Sequence, residues 1–500
     1  MSRALVDLTA DEGSLAGLDE RVAAPGYDRA GLRTGIVHFG IGGFHRAHLA
    51  AYVDRLLESG EGREWAITGV GVLPRDRSVV ETLRAQGGRY TLVIKHPDGR
   101  LEPRIIGSIR ETLFAPDDPE VVLARLADPA VRIVSMTITE GGYLVNQVTG
   151  ELDSTAESIQ PDLVPGATPS TVFGYVVEGL RRRRSAGTPP FAVMSCDNLP
   201  GNGDVARRMI VAFTRLTDPD LADWIDAEVA FPNAMVDRIT PVTAPQDIAT
   251  LEHEFGVRDG WPVVCEPFTQ WVLEDHFPMG RPPFEQVGAQ IVDDVVPYEL
   301  MKLRLLNASH QALCYLGYLA GHRYAHEVMG EKLFRRFLIE YMTREGMPTL
   351  PEVAGVDLDD YARTLVERFA NPEIRDTLAR LCAESSDRIP KWLVPVIREN
   401  LAAGGQIELS ALVVASWARY AEGRDEQGQA IDVVDRIRDR VMAAAARQVE
   451  DELAFLRDPD LFGDLVEDER FTAAYREALA SLHEVGARET VEQWVARVGA

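Results

Sequence analysis

The stretch that most restricts the fold runs from Gly35 to Leu57. Gly35–Phe39 (GIVHF) is a short apolar run with β-branched residues, which predicts a buried strand. It passes directly into Gly40-Ile41-Gly42-Gly43-Phe44-His45, then into Arg46-Ala47-His48 and an amphipathic segment ending near Leu57. Strand, glycine-rich turn and helix in this order is the setting that a phosphate-cradling loop requires. Gly40 would make the tight turn, and Gly42 would let the backbone approach a pyrophosphate at the helix N-terminus. Gly43 and Phe44 complete the candidate cofactor loop. The run departs from GxGxxG, because His45 stands at the third glycine position.

An alternation follows. Trp65–Leu73 predicts a second strand, Val79–Gln86 a helix, and Tyr90–Lys95 and Arg132–Thr139 further strands. The last of these ends in Thr139-Glu140-Gly141-Gly142, a glycine-rich turn beyond a strand's C-terminal end, where open α/β sheets bind ligands. Thr139, Glu140 and Gly141 therefore join the cofactor candidates. Pro190–Cys196 and Trp261–Phe268 add two more strands. The pattern is α/β, a Rossmann-type doubly wound parallel sheet.

From about Pro297 helical periodicity takes over, at Tyr298–Tyr318, Glu331–Thr343, Leu358–Phe369, Glu373–Glu384, Ala411–Ala421 and Ile431–Leu456. A chain of 500 residues exceeds what one core sustains. We expect a Rossmann-type NAD(P)-binding domain over residues 1–290 and a predominantly α-helical substrate and catalytic domain over residues 291–500.

Charge narrows the partners. A formal net charge of −26 argues against nucleic acid, whose phosphates need clustered cations. The one dense basic run, Arg181–Arg184, closes a predicted helix and reads as a solvated helix end. The four cysteines, Cys196, Cys265, Cys314 and Cys382, form no CxxC pair, which fits buried free thiols in a reducing compartment. The N-terminal MSRALVDLTADEG has no apolar leader core, and no apolar run reaches the roughly 18 residues of a membrane span. The expectation is a cytoplasmic protein with no membrane partner.

An adenosine ribose is held by an acidic residue at the end of the second strand, and Asp76 is the candidate, although further from Gly40 than the usual spacing of about 20 residues. Arg75 and Arg77 flank it, and a guanidinium there could hold a 2′-phosphate instead. NAD is the first choice of cofactor and NADP the alternative.

Chemistry concentrates in Met301–Gly317. At about 100° per residue, Asn307 lies about 140° from Lys302 and His310 falls between them. An amine, an amide and an imidazole then share one broad face of a buried helix, a constellation suited to proton transfer. The competing reading is an amphipathic helix whose Lys302 snorkels to solvent. Glu299, one turn before Lys302, is placed either to relay a proton or to form a surface ion pair. Asn198 follows the Pro190–Cys196 strand and either presents its amide to a substrate oxygen or forms a turn. Asp237 is a further substrate-binding candidate; paired with Arg238 it would instead be structural. Arg380, Arg388 and Lys391 are candidate donors to substrate oxygens, or helix-end cations. No Cys and His cluster with zinc spacing is present, so no metal is expected.

These motifs together resemble the mannitol dehydrogenase family of polyol-specific long-chain dehydrogenases, from about Gly35 to beyond Trp392. The resemblance rests on Gly40–His48, Thr139–Tyr143, Asp197-Asn198-Leu199, Val236–Pro241 and, above all, Lys302-x4-Asn307-x2-His310. It implies metal-independent, NAD(P)-dependent oxidation of a sugar alcohol to a ketose, with D-mannitol and D-fructose the first choice. D-arabinitol, D-sorbitol and the hexuronates fructuronate and tagaturonate are alternatives. It further implies that Lys302 is the general base, that Asn198 and Asn307 bind the reacting oxygen, that His310 orients the substrate, and that the protein is a monomer. As a base, Lys302 would have to act as a neutral amine, its pKa lowered from about 10.4 to about 8 by burial beside a cationic ring. A regulator that binds NAD without turnover would have no need to keep a Lys, two Asn and a His together.

Overall fold

The computed structural model describes residues 3–4, 18–146 and 149–498; apart from Arg3–Ala4, the N-terminal stretch MSRALVDLTADEG lies outside the described residues. The chain divides into two compact units, Met1–Val296 and Pro297–Ala500.

In the N-terminal unit, β1 (Thr34–Phe39), β2 (Ala66–Gly71), β5 (Ile109–Phe114), β6 (Ile133–Met136) and β7 (Ala192–Ser195) form one all-parallel sheet in the order β5-β2-β1-β6-β7. β1 is buried along its whole length, as a central strand covered on both faces must be. Ile36 packs on one face with helices α2 (Leu49–Glu58) and α3 (Arg77–Ala85). Val37 and Phe39 pack on the other with α4 (Pro119–Ala127), α5 (Val172–Ala186) and α6 (Asn202–Arg215). The period of two puts His38 on the face of Ile36. The chain winds outward from β1 to β5, then returns to lay β6 on β1's other side. The doubly wound sheet reverses direction between β1 and β6.

Tyr90–Lys95 is a strand, β3, but stands outside this sheet. A turn at Pro97-Asp98-Gly99 folds it back antiparallel onto β4 (Leu101–Ile106), and its other edge pairs parallel with β9 (Val263–Cys265). So short a connection cannot carry a parallel crossover. Sequence reading missed β4 because Pro103 interrupts it, which is tolerated because β4 is an edge strand. A third sheet joins β11 (Gln290–Val292), β10 (Gln270–Glu274) and β8 (Ala234–Asp237).

The basic run also departs from expectation. Arg181 and Arg182 pair at the surface with Asp218 and Glu120, but Arg183 is fully buried. Its guanidinium donates to the carbonyls of Leu126 at 2.8 Å, Pro189 at 2.8 Å and Asp128 at 2.5 Å, so one side chain ties three loop-end carbonyls together. One arginine of the run is structural.

The C-terminal unit is helical. α7 (Val296–Met301) leads through a π-helical segment, Lys302–Asn307, into α8 (Ala308–Leu319). α9 (Lys332–Tyr341) runs into a second π segment, Met342–Gly346. α10 (Leu358–Phe369) forms as expected. The expected helix Glu373–Glu384 contracts to α11 (Leu378–Cys382), capped by the Thr377 hydroxyl, and is followed by α12 (Ser385–Trp392) and α13 (Val394–Ala403). α14 (Glu408–Ala421) is buried around most of its circumference, like α8. Ile431–Leu456 yields only one α-helix, Arg438–Ala446, because Asp435 turns the chain beforehand by accepting from Ile437 N at 3.0 Å. All four cysteines are buried and free. Among the described residues, no helix is long and apolar enough to cross a membrane.

Candidate active site

The reversal point between β1 and β6 is where a doubly wound sheet opens a crevice beyond its strands. Two of the predicted turns meet there. Gly40 leaves β1 at φ +95°, and a Cβ on it would stand 2.1 Å from Thr137 O. Its carbonyl accepts the Thr137 hydroxyl at 2.8 Å and lies 3.1 Å from His38 Nε2. Gly42 is the opposite case: no atom lies within 4 Å of where its Cβ would be. That space is a cradle which a side chain would fill, so the turn fits the close approach of a pyrophosphate. Gly43 meets only ordinary contacts, 3.6 Å from Thr240 and Val263. Phe44 is half-buried and stacks on His48 with ring centroids 5.0 Å apart.

His45 explains the missing third glycine. That glycine ordinarily lets the helix close onto the strand. Here the His45 ring lies flat on His38, with centroids 3.5 Å apart and 12° between planes, so an imidazole fills the gap. Burial holds the pKa of His38 and of His48 down to about 3, and that of His45 well below its usual value. All three are neutral at pH 7, and the unfolded chain binds protons that the folded chain refuses. Stability is therefore complete above the unfolded pKa of about 6.5 and is lost as pH falls, for His38 and for His48 by up to about 1.4 kcal/mol per pH unit down to about 3, with His45 acting in the same direction. Urea melts at pH 7.5 and pH 5 should show this loss, and His45→Phe should reduce it.

At the end of β6, Thr139 sits at φ +63°, and the turn Thr139–Gly142 is held in place by Asp197. The carboxylate accepts from Ile138 N at 3.0 Å, Thr139 N at 2.8 Å and the Tyr143 hydroxyl at 2.8 Å, and Tyr143 also meets Ser195 Oγ at 2.6 Å. Thr139, Glu140, Gly141 and Asn198 are exposed, whereas Asp197 and Tyr143 beneath them are buried. The two sequence motifs TEGGY and DNL thus form one hydrogen-bonded assembly. Sequence reading gave Asp197 and Tyr143 no role; their signal was the recurrence of polar residues at two adjacent strand ends.

Asp76 lies just beyond β2, where Oδ2 accepts from Val72 N at 3.0 Å and Leu73 N at 2.9 Å. Arg77 grips Asp117 through both terminal nitrogens, at 3.0 and 2.6 Å, while Arg75 is exposed and makes no ion pair among the described residues. Asp237 ends β8, opposite Gln270 of β10, and is buried. Its neighbour Arg238 donates to Ala47 O at 2.7 Å and Glu266 O at 3.0 Å, which ties this signature to the end of α1 (Gly43–Ala47).

In the C-terminal unit, Lys302 and Asn307 are 6% and 5% exposed, and Glu299 on α7 is buried beside them in sequence. Lys302 does not snorkel to solvent. The expected α-helical angles need correction, because Lys302–Asn307 is a π turn. Ala308 N donates to Leu303 O, five residues back. Residues i and i+5 are then about one turn apart, which brings Lys302 and Asn307 towards the same face instead of about 140° apart. Among the described residues no donor reaches Asn307 Oδ1. His310 packs its ring on Phe369 of α10, with centroids 4.4 Å apart.

The three candidate cations differ. Arg380 is exposed and bound through Nε and Nη2 to Asp376 at 2.7 and 2.6 Å. Arg388 donates to Arg380 O at 3.2 Å and Leu381 O at 2.8 Å. Lys391 is exposed, with no partner among the described residues.

A doubly wound sheet with a glycine cradle at its reversal point, followed by a helical unit, defines the class of two-domain proteins with a Rossmann-type dinucleotide fold. Family profiles narrow it. The mannitol dehydrogenase Rossmann domain matches residues 34–286, and the mannitol dehydrogenase C-terminal domain matches residues 294–483. The chain belongs to the mannitol dehydrogenase family. It is 47% identical to mannitol 2-dehydrogenase of Phaeosphaeria nodorum over 95% of this chain and 84% of that one. Among solved structures, Pseudomonas fluorescens mannitol 2-dehydrogenase in ternary complex with NAD and D-mannitol is 44% identical, with a TM-score of 0.85 over 96% of this chain and 98% of that one. D-sorbitol dehydrogenase in substrate-free form is 37% identical, with a TM-score of 0.89 over 96% and 99% of the two chains.

Proposed function

We propose that this protein oxidises a sugar alcohol to a ketose with NAD, D-mannitol to D-fructose before other pairs, and that Lys302 is the general base. The observation that carries the reading is a lysine buried on a π turn five residues before a buried asparagine. Burial disfavours the charged ammonium and so favours the neutral amine that a base must be. NAD, when bound, supplies the hydride acceptor. Lys302 Nζ takes the proton of the substrate hydroxyl as the carbon–hydrogen bond breaks. Asn307 and Asn198 donate amide N–H groups to the oxygen as negative charge builds on it. His310 orients the substrate, and Glu299 passes the proton from Lys302 to solvent.

The cofactor would lie on Gly40, Gly42, Gly43 and Phe44 on one side and Thr139, Glu140 and Gly141 on the other, with Asp76 on the ribose. An unpaired Arg75 leaves NADP as a second cofactor to test. Asp237, Arg380, Arg388 and Lys391 are proposed to serve the remaining substrate oxygens; the uncommitted ammonium of Lys391 is the strongest of the three cations. Among the described residues, no three His, Cys, Asp or Glu side chains group to hold a metal ion; metal independence is part of the proposal and is tested with chelator-treated protein. Buried free thiols support a cytoplasmic location.

The test is reduced-cofactor absorbance with D-mannitol, D-arabinitol and D-sorbitol against NAD and NADP, and with fructose and fructuronate against the reduced cofactors. Fastest turnover is expected for D-mannitol and fructose with NAD and NADH. Turnover of fructuronate alone would move the enzyme to hexuronate chemistry.

A further inference from the structure

The segment that carries Lys302 and Asn307 is in an uncommon register, and the structure holds it there from outside the helix. In an α-helix the Ala308 amide would donate to Arg304 O, four residues back. Here it donates to Leu303 O, and the displaced Arg304 carbonyl accepts the Tyr341 hydroxyl at 3.1 Å. Tyr341 is fully buried at the end of α9, where the second π segment begins. Gly346, at the end of that segment, packs against the first: a Cβ on it would meet Leu305 Cδ2 at 2.8 Å and Arg304 O at 3.4 Å. The Arg304 side chain is anchored as well, to Thr349 O and through both terminal nitrogens to Glu399 at 2.7 and 2.6 Å. Carbonyl, side chain and neighbouring backbone of one residue are all engaged. Each engagement falls on the turn between Lys302 and Asn307.

We propose that Tyr341 is a positioning residue for the reaction, selecting the π register of Lys302–Asn307 by capturing the Arg304 carbonyl. Two acceptors compete for one donor. Leu303 O and Arg304 O are alternative acceptors for the single Ala308 amide, and whichever loses it must be satisfied elsewhere, because a buried carbonyl without a partner is costly. Tyr341 satisfies Arg304 O and so gives the amide to Leu303 O. Without the hydroxyl, the α register regains Arg304 O as its natural acceptor, and Asn307 swings towards about 140° from Lys302. The base and its amide partner then no longer face the same oxygen. A π turn inside an α-helix at a functional position is a recurrent device, and this one carries its own lock.

The inference rests on the reading of Lys302 as the base, so the test separates the two. Tyr341→Phe keeps the ring and removes only the donor. With D-mannitol and NAD at saturation, kcat per folded protein should fall about tenfold. KM for NAD should stay within about twofold, and the acid limb of the kcat–pH profile should move. Gly346→Ala presses on Leu305 from the same side, should give the same signature, and stands in if Tyr341→Phe fails to fold. Tyr475→Phe is the structural control: it removes another buried tyrosine hydroxyl, bonded to Gln448, and should lower stability without changing kcat or its pH profile. An unchanged kcat and pH profile in both Tyr341→Phe and Gly346→Ala, with Lys302→Ala inactive, would overturn the register lock and leave the base in place. Turnover surviving in Lys302→Ala would overturn the reading beneath it, and the lock with it.

Discussion

Lys302→Ala is expected to lower kcat for D-mannitol oxidation by at least about a thousandfold and to leave NAD affinity within about twofold. General-base catalysis by a placed side chain is worth about 10²–10⁴ in rate. The upper part of that range is expected because water, a far weaker base than an amine, is what would take the place of the lost side chain. NAD affinity is spared because its proposed contacts all lie in the N-terminal unit. Steady-state kinetics and a fluorescence titration of NADH check both halves. Because the loss is in proton transfer, small exogenous amines should restore part of the rate. A variant that loses NADH binding and activity together would point to misfolding, and one that keeps activity would remove Lys302 from the mechanism.

The second large effect separates two glycines of one loop. Gly40→Ala should destabilise the N-terminal unit by about 3–5 kcal/mol, because its Cβ would stand 2.1 Å from Thr137 O at a left-handed φ of +95°. Neither a rotamer change nor a flexible neighbour can relieve a clash with backbone. Gly42→Ala meets no atom within 4 Å and should melt with the wild type. Its methyl group would stand where the dinucleotide needs to come close, so NADH affinity should drop by about a hundredfold. Thermal melts and NADH titrations on the two variants distinguish a glycine kept for the fold from one kept for the ligand. Equal melting temperatures with equal NADH affinity for Gly42→Ala would contradict the cradle.

What the sequence disclosed follows the range of each physical signal. β1 and its glycine turn were legible because an apolar run ending in glycines is a local pattern with few alternatives. α10 was legible because its apolar face has a clean helical period. The sheet membership of Tyr90–Lys95 was not, since a strand's residues do not say which edge it will meet, and only the Pro97-Asp98-Gly99 turn decides it. Arg183 misled because four consecutive arginines look solvated, and only the loop ends around Leu126 and Asp128 show why one of them is buried. The π turn is the instructive case. Lys302, Asn307 and His310 could be named as a constellation from their spacing, but the spacing was converted with the wrong helical pitch. Nothing in Met301–Gly317 itself records the pitch. The hydroxyl that goes with it comes from Tyr341, far along the chain, where a lone tyrosine closing an amphipathic helix carries no signal.

The most direct test of the whole account is the initial rate of NAD reduction by D-mannitol with chelator-treated protein, with the sugar product identified. The account predicts one D-fructose formed for each NAD reduced, at a rate the chelator does not change and Lys302→Ala abolishes. NAD that binds but is not reduced with D-mannitol, or a rate that returns only on adding a divalent metal ion, would contradict it.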